Sequence, residues 1–284
     1  MKCSLNRRRF LQASLLGSTA LTTALPTKLL AGPVKAARGP FDGLKLGIAS
    51  YSLRKFNLDQ AIAMTKEAGV KYVCLKDMHL SLKSTPAQCQ EARKKIEDAG
   101  LVVAGGGVIY MKNKDGEIRD VFEYAKNAGM PTIVCSPDPD ALDTVEKMAK
   151  QYDLIVAIHN HGPTDTKYPS PRDVLRLVKD RDRRMGICMD VGHTVRIGED
   201  PVAVIEECSS RLYDFHLKDV TAPTKAGVPI EVGKGVIDIV GVLRALVKLK
   251  FPHHINLEYE ANADSPMPGI LGSYAYIRGV LAAV

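Results

Sequence analysis

The stretch Asn57–Leu75, NLDQAIAMTKEAGVKYVCL, holds one full cycle of the pattern that decides the fold. Helical spacing of apolar residues runs from Asn57 to Ala68, Gly69 stops the helix, and the run that opens at Lys71 is apolar enough for a buried strand. The phrase "helix, Ala-Gly, apolar strand" returns at Ala99-Gly100, after the helix-like Pro86–Ala99, and at Ala128-Gly129, after Ile118–Ala128. Strand-like runs start near Leu44, Lys71, Leu101, Pro131, Leu154, Met185, Leu212 and His254, a repeat of roughly 30 residues per βα unit.

Parallel strands need long crossovers, so strands alternating with helices imply a parallel sheet. Eight such units in 284 residues predict an α/β chain with a single (β/α)8 TIM barrel. The competing fold, an open dinucleotide-binding sheet, requires G-x-G-x-x-G where the first strand meets its helix. Here that strand leads into Ser50-Tyr51-Ser52-Leu53, which has no glycine cradle. Gly105-Gly106-Gly107 falls inside the third strand, too early for a phosphate loop, and reads as close packing or a bulge.

Residues 1–37 read as a twin-arginine-type signal peptide ahead of a barrel over residues 38–284. Asn6-Arg7-Arg8-Arg9-Phe10-Leu11 opens the segment, a mild apolar run follows from Ala13 to Leu25, and small residues gather at Ala31 and Ala36-Ala37. Export to the periplasm is therefore expected. No membrane span is expected in the mature protein, because no body stretch is apolar for long enough. The first 38 residues hold seven basic side chains and no acid, which accounts for the whole formal charge of +7. The near-neutral remainder lacks the basic footprint of nucleic-acid binding. Five cysteines remain in the body, three of them (Cys74, Cys135 and Cys188) within apolar strand-like runs, so no disulfide framework is indicated.

In such barrels the active site lies at the C-terminal ends of the strands. Of the seven histidines, His79 follows the second strand, His159 and His161 end the fifth, His193 ends the sixth and His216 ends the seventh. Only His253 and His254 fall at a strand start. Carboxylates share the same rim in Asp190-Val191-Gly192-His193, Asp214-Phe215-His216-Leu217-Lys218-Asp219 and Leu257-Glu258-Tyr259-Glu260. Period-2 alternation lets Asp190, His216 and Glu258 point inward together, with Glu260 on the same face as Glu258. Mixed imidazole and carboxylate donors suit one divalent transition metal (Mn, Zn, Co or Fe(II)) better than Mg or Ca.

With these pieces in place, the chain resembles the sugar phosphate isomerase/epimerase superfamily, the xylose-isomerase-like or type-2 AP-endonuclease-like barrels, from about Leu44 to Val284. The resemblance implies four metal ligands, one from each of strands five to eight: His159, Asp190, His216 and Glu258. Sugar-epimerising relatives usually carry Glu-Asn-His at the end of strand five, where this chain has His159-Asn160-His161. That exchange removes one of the two opposed carboxylates of the simple epimerase mechanism. Lys76, His79 and His161, together with Glu258, become the candidate catalytic residues, and Tyr110, His193, Lys218 and Glu260 the candidate substrate-binding ones.

The resemblance implies a carbohydrate enzyme that removes a proton next to a sugar carbonyl. An export signal takes such an enzyme away from sugar phosphates, and exported relatives of this pattern resemble lyases or hydratases of 3-keto-glycosides. A sugar isomerase or epimerase is the alternative. An AP-endonuclease-like DNA enzyme conflicts with the neutral body, and a non-catalytic sugar-binding barrel has no use for converging metal ligands. The partner expected is a small carbohydrate, and a homo-oligomer is left open.

Overall fold

The computed structural model describes Phe41 and residues 43–284. Eight parallel strands close into a barrel: β1 (Lys45–Ala49), β2 (Tyr72–Leu75), β3 (Val102–Met111), β4 (Thr132–Pro137), β5 (Ile155–His159), β6 (Met185–Asp190), β7 (Leu212–Leu217) and β8 (His254–Leu257). β8 pairs with β1 from Lys45–His254 to Ile48–Leu257, which shuts the sheet and leaves no barrel edge unpaired. The outer helices are α1 (Leu58–Glu67), α2 (Pro86–Asp98), α3 (Asp115–Asn127), α4 (Leu142–Tyr152), α5 (Pro171–Val178), α6 (Val191–Arg196), α7 (Pro201–Cys208), α8 (Ile239–Lys248) and α9 (Met267–Ala283). The fold is the α/β TIM barrel that the repeat predicts. The signal-peptide segment, residues 1–37, lies outside the described residues.

Local chemistry explains the repeat. Asn57 and Thr85 cap α1 and α2 with full capping boxes, their side chains accepting from Gln60 and Gln88 while those side chains reach back. Gly69, Gly100 and Gly129 end α1, α2 and α3 at positive φ, which is what the recurring Ala-Gly pair supplies. α3 starts at Asp115, one turn before the expected Ile118, because Asp115 and Glu117 place negative charge in its first turn. The triple glycine sits in β3, where the register against β4 slips between Gly106 and Ile109. A Cβ on Gly107 would collide with the Val134 carbonyl, so close backbone approach demands glycine there.

One apolar core runs between barrel and helices, with Phe122, Tyr168, Phe215 and Tyr274 completely buried. Cys74, Val134, Ala157 and Cys188 form a separate small cluster. Val134 and Ala157 are register partners on β4 and β5 and Cys188 lies on the next strand, β6, while Cys74 on β2 reaches them across the barrel interior. The five cysteines of the described residues are buried and free. No helix of the described residues is long and apolar enough to cross a membrane.

Candidate active site

Barrel register gathers the candidate ligands. His159 and Asp190 are the last residues of β5 and β6, His216 is the penultimate residue of β7, and Glu258 follows β8 directly. Asp190 lies beside His216 across the β6–β7 pair, and His216 beside Asn256 across β7–β8. One donor atom from each of His159, Asp190, His216 and Glu258 falls within 4.8 Å of all the others. His159 Nε2 stands 3.1 Å from His216 Nδ1 and 3.5 Å from Asp190 Oδ2, and His216 Nδ1 stands 3.3 Å from Glu258 Oε2. All four are buried.

Electrostatics fit this group to a cation. Burial pulls the His159 imidazole down to about 3, so it is neutral and its lone pairs are available. Lys218 Nζ lies 2.9 Å from Asp190 Oδ2 and 2.8 Å from Glu258 Oε2, and also pairs with Glu260. Burial alone would lower the lysine, but these three carboxylates hold it well above its ordinary value. Burial would likewise raise Asp190 and Glu258, yet the ammonium holds both well below the usual carboxylate range. Burial would lower the His216 imidazole as well, yet the acidic groups around it, Glu258 among them, hold it well above its ordinary value. Buried charge is costly unless it is balanced.

Further residues orient the group. His216 Nε2 faces Asp214 Oδ1 at 3.8 Å, and Asn256 Nδ2 donates to both oxygens of Asp214 at 3.2 Å. Burial pushes Asp214 up to about 6. Asn160 ties β5 to β6: its Oδ1 accepts from the Asp190 N–H at 2.8 Å, and its Nδ2 donates to Thr194 Oγ1 at 3.3 Å.

A cavity of about 340 Å³ opens on two of the four candidate ligands, His159 and Glu258. Lys76, Tyr110, His161, His193 and Glu260, all singled out in the sequence, also line it, and Tyr51 and Val108 complete the wall. Lys76 Nζ donates to the Val108 carbonyl at 2.7 Å. His161 Nε2 is 3.3 Å from the Tyr110 hydroxyl, with the rings stacked 5.9 Å apart. Burial lowers His161 and His193, so both imidazoles are neutral near neutral pH.

Two of the sequence candidates are placed elsewhere. His79 does not line the cavity: its Nδ1 lies 2.9 Å from Ser50 Oγ, which also accepts the Lys76 N–H at 2.8 Å. It packs the ends of β1 and β2 together, behind the wall. Lys218 does not line the cavity either, because its ammonium is turned into the carboxylates. Asp190 and His216 sit deeper than the cavity wall. Asn160 and Asp214 went unassigned in the sequence. Asp214 had a legible signal, since it shares the inward face of β7 with His216, two residues on.

Residues 62–278 match the xylose isomerase-like TIM barrel family. The chain belongs to this family. Among curated members it is 28% identical over 157 residues to the inosose dehydratase of Geobacillus thermodenitrificans (strain NG80-2), covering 49% of this chain and 52% of that protein. It is 26% identical over 141 residues to the rhizopine catabolism protein MocC of Rhizobium meliloti, covering 44% of this chain and 42% of that one. The matches span about half the length of these relatives. Among solved structures, an uncharacterized protein from Parabacteroides distasonis is 26% identical with a TM-score of 0.66, over 83% of this chain and 98% of that one. The 3-keto-D-glucoside 4-epimerase of E. coli shares the fold at 16% identity and a TM-score of 0.68, over 83% of this chain and 99% of that one.

Proposed function

We propose that this family member is a carbohydrate enzyme that removes a proton α to a sugar carbonyl, acting as a lyase or hydratase on 3-keto-glycosides. The observation that carries the reading is a neutral imidazole, His161, lining the same cavity as His159 and Glu258 of the His159-Asp190-His216-Glu258 cluster. A second carboxylate base is missing where sugar-epimerising relatives have one, because His159 stands in its place. The similarity to inosose dehydratase supports the same chemistry, since dehydration of a ketone proceeds by loss of an α proton and a β hydroxyl. Export through a twin-arginine-type signal would bring the enzyme to unphosphorylated glycosides in the periplasm.

In this reading His159, Asp190, His216 and Glu258 hold one divalent transition metal. Bound there, it would supply Lewis acidity towards the carbonyl oxygen. His161 Nε2 takes the C2 proton, the C2–H pair moves towards the C3 ketone oxygen, and Lys76 donates a hydrogen bond from the cavity wall. The pair then returns to form the C1–C2 double bond as the C1–O bond breaks, and the aglycone leaves as an alcohol, its oxygen taking the C1–O pair and the proton that His161 removed. Addition of water across that double bond completes a hydratase cycle. His193 and Glu260 bind hydroxyls, and Tyr51 and Tyr110 flank the ring.

The test is deuterium wash-in at C2 of a 3-keto-glucoside in heavy water, with aglycone release followed in parallel. Exchange with release is the expected result. Metal-loaded protein that shows neither, but interconverts ordinary aldoses and ketoses, would establish the isomerase alternative instead.

A further inference from the structure

We propose that a notch beside the cavity, beyond the end of β2, is an aglycone subsite that takes a single aromatic ring. The inference rests on the reading of the substrate as a glycoside and names the part of that substrate outside the sugar. The notch follows from unequal strands. β2 stops at Leu75, paired with Gly106, while β3 continues to Met111 against β4. Beyond Gly106 that edge of β3 is not covered by β2, and the loop after β2 supplies Asp77 and Leu82 in its place. The result is a cavity of about 150 Å³ whose lining includes Lys76, Asp77, Leu82, Val108, Tyr110 and Tyr124. Lys76, Val108 and Tyr110 line the larger cavity as well, so the two lie side by side across a shared ridge.

Size and polarity select the occupant. About 150 Å³ is the volume of an apolar cavity that accepts one benzene ring. Val108 and Tyr110 share one face of β3, and Leu82, 38% exposed, adds apolar surface from the loop. The polar side chains of the lining already have partners. Lys76 Nζ donates to the Val108 carbonyl and lies 3.5 Å from Asp77 Oδ1. The Tyr124 hydroxyl donates to the Leu80 carbonyl at 2.9 Å, and the Tyr110 hydroxyl faces His161. A second sugar ring would have to break these contacts to pair its hydroxyls, and a polar group left unpaired on burial is costly. A flat apolar ring needs none of them.

Titration calorimetry of zinc-loaded protein tests this with phenyl and methyl glucosides of each anomer, whose unoxidised C3 leaves them unreactive. Binding is the readout because phenol is the better leaving group and would speed elimination wherever its ring sat. In one anomer the phenyl compound should bind about 10- to 100-fold more tightly than the methyl compound, the scale of burying one apolar ring. Leu82→Asp, a change at an exposed position, should abolish most of that preference. Leu82→Trp, which fills the notch instead of charging it, should do the same. Both should leave metal content and C2 exchange of methyl 3-keto-glucoside unchanged. Equal affinities or no binding in wild type, a phenyl preference that survives both variants, or tighter binding of cellobiose or maltose than of the phenyl compound would each overturn the proposal. A phenyl preference lost in the variants, with no C2 exchange of any keto-glucoside, upholds the subsite and removes the proposed reaction.

Discussion

Glu258 touches both parts of the proposed chemistry, since it belongs to the ligand cluster and lines the cavity. Glu258→Gln should therefore lose metal and turnover together. Lys76→Met and His161→Ala should keep metal while turnover falls about 10²- to 10⁴-fold, the usual cost of removing a proton-transfer group. Metal analysis beside the exchange assay separates the two, and variants that lose metal at Lys76 or His161 would redraw the site. Lys218 makes a different prediction. It is the sole ammonium among three carboxylates, and removing one partner from a buried charged group costs about 3–5 kcal/mol. Lys218→Met should show that loss in urea unfolding of metal-free protein, and added zinc should restore most of it by supplying positive charge. An equal loss with and without zinc would count against the charge balance argued above. At this scale the clustering of His159, Asp190, His216 and Glu258 was legible because each lies at or next to a strand end. The direction of His79 and Lys218 was not, because a strand end reveals depth along the barrel but not whether a long side chain turns to solvent, wall or carboxylate.

Elements were the most legible layer. Each barrel strand begins within one residue of its expected start, because apolar runs bounded by glycine, proline or charge leave little choice. The β3 irregularity could be placed at the triple glycine but not described, since register slips depend on the neighbouring strand. The opposite end of the barrel offers a test independent of catalysis. His254 opens β8 and packs against Tyr72 with ring centroids 4.8 Å apart. Burial, with Lys45 and His253 adding repulsion, lowers its imidazole to about 4. A base with a depressed folded pKa is protonated first in the unfolded chain. The unfolded state thus binds more protons between pH 6.5 and about 4, and stability falls as pH drops through that window. His254→Gln should flatten this part of the curve of unfolding free energy against pH. Parallel curves for variant and wild type would show that His254 does not contribute.

At the scale of the whole molecule, the sequence divides by charge. Seven basic residues and no acid fall in the first 38 positions, and the rest of the chain sums to zero. A barrel that must gather two imidazoles, two carboxylates and a buried lysine from four strands has its site only once it is closed. A route that carries folded protein suits such a site, because ligands and metal can be assembled before export. The Arg7-Arg8-Arg9-Phe10-Leu11 segment makes that route testable apart from the chemistry. Protein recovered from the periplasm should begin near Ala37 or Arg38 by mass spectrometry. Replacing Arg7 and Arg8 together with lysine keeps the charge but alters the paired arginines, and should leave full-length protein in the cytoplasm with its cavity chemistry intact. A wild-type chain that stays in the cytoplasm starting at Met1 would remove the export argument for unphosphorylated glycosides. The substrate would then rest on the cavity alone, and sugar phosphates would have to be assayed beside the keto-glucosides.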